Sequence, residues 1–561
     1  MNPALMCALP RKTSDYPFHA LRSGRPRLWP GIVTRERRAQ GHGAPQRLSF
    51  PCIGLLLFAL CQLPAGSAFA WWDGGADAAP AGQAQSDEAL PAPAFGHELP
   101  EEVRQLLAQP FTGDLDAMVE RRVVRIGVPF NRSLYFVDRG EERGVAFEYG
   151  ALMEEELNRR RETGNLRVRF WFVPMSRDQL LPALVAGQVD MVISQLTVTP
   201  ERRELVDFTH PTREHVNEIV VTGPGGPPIA QVEDLSGQQV YVRRASSYYD
   251  SLLELNERLQ AAGRAPVELL EAPESLETDD LLEMVNAGLV KATIADDYLA
   301  EFWQQVFTKL QLHKSAVVRS EGSLAVAIRK DSPQLAAALN AVIDEYGLGT
   351  VFGNIMQKRY FENTQFAREA VSEEERRKFE QLVQYFRKYG SEYQLDYLLM
   401  AAQGYQESRL DHSVKSPSGA VGVMQIMPAT GRELAVGDIH QVESNIHAGV
   451  KYIRQLEDEY FKDEAMDELN KGLFAFASYN MGPARLRQLR AEAAKRGLDP
   501  NVWFRNVEVI ASERIGRESV TYVSNIYKYY LAYTLLMPER ERQAAAKETL
   551  ESRVNPDSGQ P

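Results

Sequence analysis

The residue best suited to acid-base chemistry in this sequence is Glu407. It ends an otherwise neutral stretch, Ala401-Ala-Gln-Gly-Tyr-Gln-Glu-Ser-Arg409, whose apolar residues recur at helical spacing. A carboxyl group in an apolar cleft is poorly hydrated, which favours its neutral form and allows it to act as a general acid near neutral pH. A Glu near a helix end is commonly a solvated or capping residue, so the catalytic interpretation depends on the surrounding motifs.

Three further motifs follow Glu407 along the chain. Residues 416–428 read Ser-Pro-Ser-Gly-Ala-Val-Gly-Val-Met-Gln-Ile-Met-Pro, a glycine-rich turn that leads into an apolar run. Residues 478–482 read Ser-Tyr-Asn-Met-Gly, and residues 518–523 read Glu-Ser-Val-Thr-Tyr-Val. Each motif alone is weak evidence, but the ordered set is highly specific.

Together these motifs resemble the catalytic domain of soluble lytic transglycosylases, which is similar to goose-type lysozyme. That family has Glu-Ser, Gly-Leu-Met-Gln, Ala-Tyr-Asn-x-Gly and Glu-Thr-x-x-Tyr-Val, and Val423, Ser478 and Ser519 are mild departures from it. The resemblance covers about residues 375–540 and implies an all-α lysozyme-like domain with Glu407 as catalytic acid and base. It also implies a substrate cleft lined or arranged by Ser416, Met424, Gln425, Tyr479, Asn480 and Glu518.

The resemblance also implies a reaction on peptidoglycan glycan strands. Glu407 would protonate the oxygen between N-acetylmuramic acid and N-acetylglucosamine, and then remove the proton of the muramic C6 hydroxyl. The product is a 1,6-anhydro ring formed without water, which is a lyase reaction. Asp411 is a rival second carboxylate for a hydrolytic, lysozyme-type muramidase, although an Asp after a helix is typically a turn or cap residue.

No metal or cofactor is expected. The nine His residues show no metal-ligand spacing, and three of them are expected at the surface: His412, His440 and His447. The three Cys residues, Cys7, Cys52 and Cys61, all precede a predicted signal-peptide cleavage site. A formal net charge of -13 disfavours nucleic acid as a partner, because phosphate binding relies on clustered Lys and Arg.

The first half of the chain contains a second candidate site. Residues 187–211 contain the run Leu-Thr-Val-Thr-Pro-Glu-Arg and resemble the amino-acid-binding family of periplasmic solute receptors, in which this turn grips a ligand carboxylate. By position the candidates are Thr197 and Arg202. The planar guanidinium group of Arg202 can bind a carboxylate through two hydrogen bonds. A structural ion pair of Arg202 with Asp207 or Glu201 is the alternative.

The second part of this receptor-like segment adds two candidates. Ser247 lies at a predicted helix start, where free backbone N–H groups suit an anion. Asp296 occupies the position where these receptors place the carboxylate that holds a ligand amino group. The resemblance thus implies a regulatory domain that binds a muropeptide or an amino acid.

Two kinds of periodicity predict the elements that position these residues. In the first half, β-rich runs alternate with helical patterns, which predicts an α/β domain with a mainly parallel sheet. The resemblance to periplasmic solute receptors implies that this domain has two lobes. After residue 373 the apolar spacing is helical throughout. We therefore expect a receptor-like domain at 115–361, a linker at 362–374, the catalytic domain at 375–540 and a disordered tail at 541–561.

The beginning of the chain predicts export. An apolar run at residues 53–63 follows Arg47 and leads to a small-residue sequence ending at Ala70, so residues 1–70 are interpreted as a signal peptide with a long prefix. Residues 71–114 are rich in Ala, Pro and Gly and predict a flexible linker. The domain order resembles that of transglycosylases associated peripherally with the outer membrane of Gram-negative bacteria. A sensor of amino acids or peptides with a vestigial catalytic domain stays open as an alternative.

Overall fold

The computed structural model describes residues 109–138, 140–364, 373–462 and 465–554. The predicted signal peptide and most of the predicted first linker lie outside the described residues, as does the end of the predicted tail from residue 555. Two domains make up the described chain, an α/β domain and a helical domain.

The α/β domain contains a nine-stranded sheet and a separate hairpin. All six residues of its first strand are buried, as is typical of a parallel strand with helices on both faces. The strands are β1 (Val123–Val128), β2 (Phe136–Asp138), β3 (Glu141–Arg143), β4 (Arg169–Pro174), β5 (Met191–Thr197), β6 (Asp207–Phe208), β7 (Arg213–Thr222), β8 (Gln239–Val242), β9 (Glu268–Glu271), β10 (Ala292–Asp296) and β11 (Gln311–Ile328).

The sheet divides the α/β domain into two lobes. Its strand order is β4-β1-β5-β11-β7-β10-β8-β9, with β6 beside β11 and the β2–β3 hairpin apart. Parallel pairs join β4, β1 and β5 in lobe 1 and β10, β8 and β9 in lobe 2. Strands β7 and β11 cross between the lobes and pair antiparallel with their neighbours. The predicted parallel arrangement thus holds at the centre of each lobe, while the crossing strands differ, because local alternation does not encode strand direction.

Helices cover both lobes and form the second domain. Short irregular turns add a 3-10 helix at Val232–Leu235 and π-helical turns at Lys358–Glu362 and Trp503–Val507. The helices are α1 (Leu115–Arg121), α2 (Val145–Arg160), α3 (Arg177–Val185), α4 (Pro200–Leu205), α5 (Ser247–Ala261), α6 (Thr278–Ala287), α7 (Asp297–Gln304), α8 (Pro333–Tyr346), α9 (Val351–Gln357), α10 (Glu373–Tyr393), α11 (Tyr397–Ser408), α12 (Pro428–Leu434), α13 (Val442–Tyr460), α14 (Glu468–Met481), α15 (Pro483–Lys495), α16 (Glu508–Arg514) and α17 (Arg517–Val554).

The last helix is longer than the sequence predicts. Helix α17 continues through residues 541–554, which were expected to belong to a disordered tail. Its apolar residues Ala546 and Leu550 are buried in the core of lobe 2, and the Lys547 ammonium lies 2.7 Å from a carboxylate oxygen of Asp280. The prediction of disorder was wrong for this segment because its apolar residues pack into lobe 2 and Lys547 forms an ion pair with Asp280, which is remote in sequence.

Two of the histidines are less exposed than expected. His440 is exposed, but His412 and His447 are half-buried. His447 stacks on Tyr389 with ring centroids 4.1 Å apart and lies within hydrogen-bond distance of the Tyr393 hydroxyl, at 2.7 Å. The surface prediction was wrong for His447 because aromatic packing partners on another helix cannot be inferred from spacing, whereas the half-buried His412 directs its Nε2 to the His440 carbonyl at 2.8 Å.

Candidate functional site

Glu407 is the penultimate residue of helix α11. The helix begins behind Asp396, whose carboxylate accepts a hydrogen bond from Leu398 N–H, and ends where Arg409 takes a left-handed φ of 60°. The Tyr522 hydroxyl donates a hydrogen bond to Glu407 Oε1 across 2.5 Å. Burial raises the pKa of Glu407 to about 7, against the opposing effect of this hydrogen bond. The half-buried carboxyl group can therefore hold a proton near neutral pH.

Tyr479 and Asn480 lie in the last turn of helix α14, which ends at Met481. The Tyr479 hydroxyl donates to the carbonyl oxygen of Met424 across 2.6 Å. Burial raises the pKa of Tyr479, and the negative charge of the Glu407 carboxylate raises it further. Asn480 Oδ1 accepts a hydrogen bond of 2.9 Å from Ser519 Oγ on helix α17. These contacts join helices α11, α14 and α17 around Glu407.

The glycine-rich loop is fixed from both sides by polar contacts. Ser408 Oγ, next to Glu407, donates to the Val423 carbonyl across 2.8 Å. Asn445 Oδ1 accepts from Met424 N–H at 2.8 Å. Gln425 has a left-handed φ of 47°, and its Nε2 donates back to the Gly422 carbonyl at 2.9 Å. The loop is thus a preorganised wall rather than a mobile flap.

The predicted cleft residues differ in their positions. Met424 is fully buried, and a Cβ at Gly449 would lie 2.6 Å from its carbons, so its side chain packs in the core and does not line the cleft. Ser416 shapes its turn, because its Oγ accepts from Ala420 N–H at 2.8 Å. Glu518 is exposed at the start of α17, and its side chain makes no hydrogen bond or ion pair with a described residue.

Two positioning residues were missed by the sequence analysis. Tyr522 lies inside the motif at 518–523, so the signal was available, but nothing in the motif shows that it faces Glu407. Asn445 is a fully buried polar residue beside apolar Ile446 on α13, a weak signal that spacing alone did not single out.

Asp411 does not form a carboxylate pair with Glu407. It is exposed, and its Oδ1 accepts hydrogen bonds from the backbone N–H and the hydroxyl of Ser413, at 2.8 and 2.6 Å. It therefore stabilises a turn. Among the described residues, no carboxylate contributes to the raised pKa of Glu407, which arises from burial.

All four predicted receptor residues line one cleft between the lobes, which we call the inter-lobe cleft. Thr197 Oγ1 of lobe 1 lies 3.1 Å from Ser247 Oγ of lobe 2. The Arg202 guanidinium donates to the carbonyls of Thr197 at 2.8 Å and Ala245 at 3.2 Å. Within the described chain it lies within 4.0 Å of no carboxylate, so the alternative of a structural ion pair is not observed.

Asp296 provides the acidic group of the inter-lobe cleft. Burial raises its pKa to about 7, and the neighbouring carboxylate of Glu218 contributes to this increase. The two residues are direct partners in the antiparallel pair of β10 and β7, so their side chains share one face. Asp296 Oδ1 has no hydrogen-bond partner among the described residues, which suits an ammonium donor from a ligand.

An ion-pair network across the cleft was not predicted. Glu277 of lobe 2 lies 3.0 Å from the guanidinium of Arg177 in lobe 1 and 2.8 Å from that of Arg243. Asn131 of lobe 1 donates to the same carboxylate at 2.9 Å. Burial alone would raise the pKa of Glu277, but the two arginines hold it below its usual value.

The β2–β3 hairpin of lobe 1 touches the end of the helix that carries Glu407. Gly140, with φ +82°, lies so close to α11 that a Cβ there would be 2.9 Å from Leu410 Cδ1 and 3.0 Å from Tyr405 Cδ2. Its carbonyl accepts a hydrogen bond from the Tyr533 hydroxyl of α17 at 2.8 Å. The two domains therefore meet beside the candidate active site.

Comparisons with known proteins match both domains. The family model of bacterial extracellular solute-binding proteins, family 3, matches residues 124–362, and that of the transglycosylase SLT domain matches residues 384–501. Membrane-bound lytic murein transglycosylase F of Desulfosudis oleivorans is 29% identical over 63% of this chain and 79% of its own length. The chain is a relative of membrane-bound lytic murein transglycosylase F. The transglycosylases F of Pseudomonas fluorescens strain Pf0-1 (26% identical, 78% of this chain, 90% of that protein) and Shewanella sp. strain ANA-3 (25%, 72%, 84%) match as well.

The relationship to transglycosylase F confirms the predicted fold class, a two-lobed solute-binding-protein-like domain followed by a helical lysozyme-like domain. Solved structures similar to the first domain include the substrate-binding protein of an amino acid ABC transporter, 21% identical with a TM-score of 0.36, covering 43% of this chain and 100% of that one. Another is an ancestral arginine-binding protein bound to arginine, 22% identical with a TM-score of 0.36, covering 43% and 99%.

Proposed function

We propose that this protein is a lytic transglycosylase, a carbon-oxygen lyase that cleaves the β-1,4 bond between N-acetylmuramic acid and N-acetylglucosamine in peptidoglycan during cell-wall turnover. Glu407 is the proposed catalytic acid and base. The proposal is supported by the SLT domain, by the names of the transglycosylase F relatives and by the raised pKa of the Glu407 carboxyl group.

The proposed reaction uses Glu407 twice. Its carboxyl proton passes to the oxygen between the two sugars, and the bond from that oxygen to the muramic C1 breaks. The carboxylate that remains accepts a hydrogen bond from Tyr522, which stabilises its negative charge. It then takes the proton of the muramic C6 hydroxyl as O6 bonds to C1, which gives the 1,6-anhydro product and restores the acid without water.

One observation favours this lyase over a hydrolytic muramidase. A hydrolase of the usual kind needs a second carboxylate as nucleophile or as base for water. Among the described residues, no second carboxylate contributes to the raised pKa of Glu407. The nearest candidate in sequence, Asp411, accepts hydrogen bonds within an exposed turn. The single carboxyl group therefore suits an intramolecular attack by the substrate's own hydroxyl.

Digestion of purified sacculi by the mature protein tests this proposal. Mass spectrometry should find anhydro-muramic ends, which weigh one water less than hydrolysed ends, and Glu407→Gln should abolish their formation while retaining the fold. Hydrolysed ends would favour the muramidase. A wild-type protein without turnover that still binds amino acids or peptides would favour the sensor with a vestigial catalytic domain.

We further propose that the inter-lobe cleft binds an amino acid or a peptide derived from peptidoglycan. Arg202, Thr197 and Ser247 would hold the ligand carboxylate, and Asp296 would accept hydrogen bonds from its ammonium group. Calorimetric titration with amino acids and muropeptides tests the site. Arg202→Gln should weaken binding at least tenfold, and unchanged binding would contradict the assignment.

The receptor-like domain is proposed to regulate cleavage. Two contacts support this role: Gly140 of lobe 1 touches Tyr405 and Leu410 on either side of Glu407, and α17 carries Tyr522 at one end and Leu550, buried in lobe 2, at the other. A ligand that favours one lobe arrangement would shift the position of Tyr522 relative to Glu407. Turnover of sacculi measured with and without bound ligand should then differ.

The proposed location is the periplasm, in peripheral association with the outer membrane. Support comes from the apolar run at residues 53–63 and from the relatives' name, membrane-bound. In the described part of the chain, no helix combines the length and apolar character that crossing a membrane requires. Fractionation of cells, with N-terminal sequencing of the mature protein, should show cleavage after Ala70.

A further inference from the structure

Lobe 1 contains a second cavity that none of the proposed activities uses. It adjoins the inter-lobe cleft at Gln195, which lines both spaces, and it extends between strands β5 and β11 and the segment that contains α9. The empty space is about 630 Å³, counting its open side. We call it the lobe 1 cavity.

Most of the wall of this cavity is apolar. Aliphatic and aromatic side chains surround it, and Leu348 at its edge is 41% exposed, so the cavity reaches the surface there. Ligand sites typically combine such walls with a few well-placed polar groups. The apolar lining includes Leu134, Val145, Met153, Ile193, Met356 and Phe361.

A cation without a carboxylate partner lines the same cavity. The Arg213 guanidinium lies 4.1 Å from the ring centre of Tyr298 and donates one hydrogen bond, to Gln357 Oε1. No carboxylate of the described residues lies within 4.0 Å of it, although most arginines of this domain pair with one. A guanidinium group has five N–H donors, so Arg213 keeps donors for a ligand.

A buried hydroxyl adds a second unused donor. Ser194 is fully buried and lines the cavity, and its Oγ has no hydrogen-bond partner among the described residues. A buried polar atom without a partner is unfavourable unless a ligand or water satisfies it. Arg213 and Ser194 are thus two wall residues with unused donors, beside the other polar wall residues Tyr149, Gln195, Thr212 and Gln357.

We propose that the lobe 1 cavity binds a small apolar carboxylate, with its aliphatic or aromatic body against the apolar wall and its carboxylate on Arg213. A planar carboxylate matches the guanidinium fork, and a single cation balances its single charge. This site is distinct from the inter-lobe cleft, because Gln195 is the only residue that lines both spaces among those that the structure describes. It does not depend on the proposed cleavage reaction.

Isothermal titration of the mature protein with sodium octanoate tests the proposal, with 1-octanol as the neutral probe of equal length. Octanoate should bind one site, and at least tenfold more tightly than 1-octanol. Arg213→Gln, which removes the charge and keeps a polar side chain, should weaken octanoate binding at least tenfold. Ser194→Ala should weaken it several-fold. Octanoate that does not bind the wild type, or binds Arg213→Gln equally well, overturns the proposal.

Two control variants test whether octanoate binding depends on Arg213 rather than on another arginine. Arg258→Gln changes an exposed arginine of α5 and should leave octanoate binding unchanged. Arg202→Gln should also leave it unchanged, whereas loss of binding in that variant would place octanoate in the inter-lobe cleft and overturn the proposal. Melting temperatures of all variants, with and without octanoate, show whether a loss of binding reflects a loss of fold.

Discussion

The Tyr522 hydroxyl donates a hydrogen bond of 2.5 Å to Glu407 Oε1, although 115 positions of sequence separate the two residues. The tyrosine comes from the first turns of α17, a helix whose later turns pack on both lobes of the receptor-like domain. The Tyr522 hydroxyl, which stabilises the ionised form of Glu407, therefore belongs to the helix that joins the two domains.

Replacing Tyr522 with Phe should change both rate and pH dependence. The hydrogen bond stabilises the carboxylate, so its loss should raise the pKa of Glu407 above about 7 and move the alkaline limb of activity upward by roughly one pH unit. A hydrogen bond to a charged group contributes about 1.5–3 kcal/mol, so kcat should fall roughly tenfold to a hundredfold. A slower enzyme with an unshifted pH profile would indicate a packing role only.

The wild-type enzyme should lose activity as pH rises through about 7. Burial raises the pKa of Glu407 to about 7, and the first chemical step requires the protonated acid. Initial rates on sacculi between pH 5 and pH 9 should therefore fall on the alkaline side with an apparent pKa near this value. Melting temperatures over the same range would show whether unfolding, rather than ionisation, causes the decline.

A side chain at Gly140 should impair catalysis from outside the active site. The Cβ of Gly140→Ala would approach Leu410, Tyr405 and the Tyr533 hydroxyl to 3.0 Å or less, at a backbone φ of +82°. We expect a loss of about 1–3 kcal/mol in stability and a several-fold fall in kcat, because α11 must shift. Gly164→Ala is the matched control, since its φ is +63° but nothing lies within 4 Å of the added Cβ. Equal activity of the two variants would show that the contact of the hairpin with α11 does not affect Glu407.

Asp296 should make the receptor-like domain less stable at high pH. Its folded pKa of about 7 lies above the ordinary value of 3.8, mainly because of burial, so its favourable contribution is complete at low pH and is lost as pH rises through 7. Asp296→Asn should therefore gain stability relative to the wild type between pH 5 and pH 8, on the order of 2 kcal/mol. Urea unfolding at both pH values measures this difference. The exposed Glu257→Gln should show no such gain.

The sequence predicts those parts of the site whose signals are local. Glu407 and its neighbouring motifs lie in short runs with recognisable spacing, and the same holds for Thr197 and Arg202. The partner of Glu407 and the bridge from Arg177 to Glu277 are different, because each joins residues about a hundred positions apart and arises from the packing of whole elements. Local periodicity contains no information about such pairs.

Residues 541–554 are a further case in which the local sequence does not reveal a contact with a remote part of the chain. Residues 541–554 are rich in charge and have no strong apolar stripe, yet Leu550 is 2% exposed in the core of lobe 2. Leu550→Ala should cost about 2–4 kcal/mol in urea unfolding, while Glu551→Ala on the exposed side of the helix should cost less than about 0.5 kcal/mol. If α17 transmits the state of lobe 2 to Tyr522, Leu550→Ala should retain ligand-free turnover but lose its response to a bound ligand. A variant that is destabilised yet responds normally would show that the helix end is a structural support and that regulation takes the shorter route through Gly140.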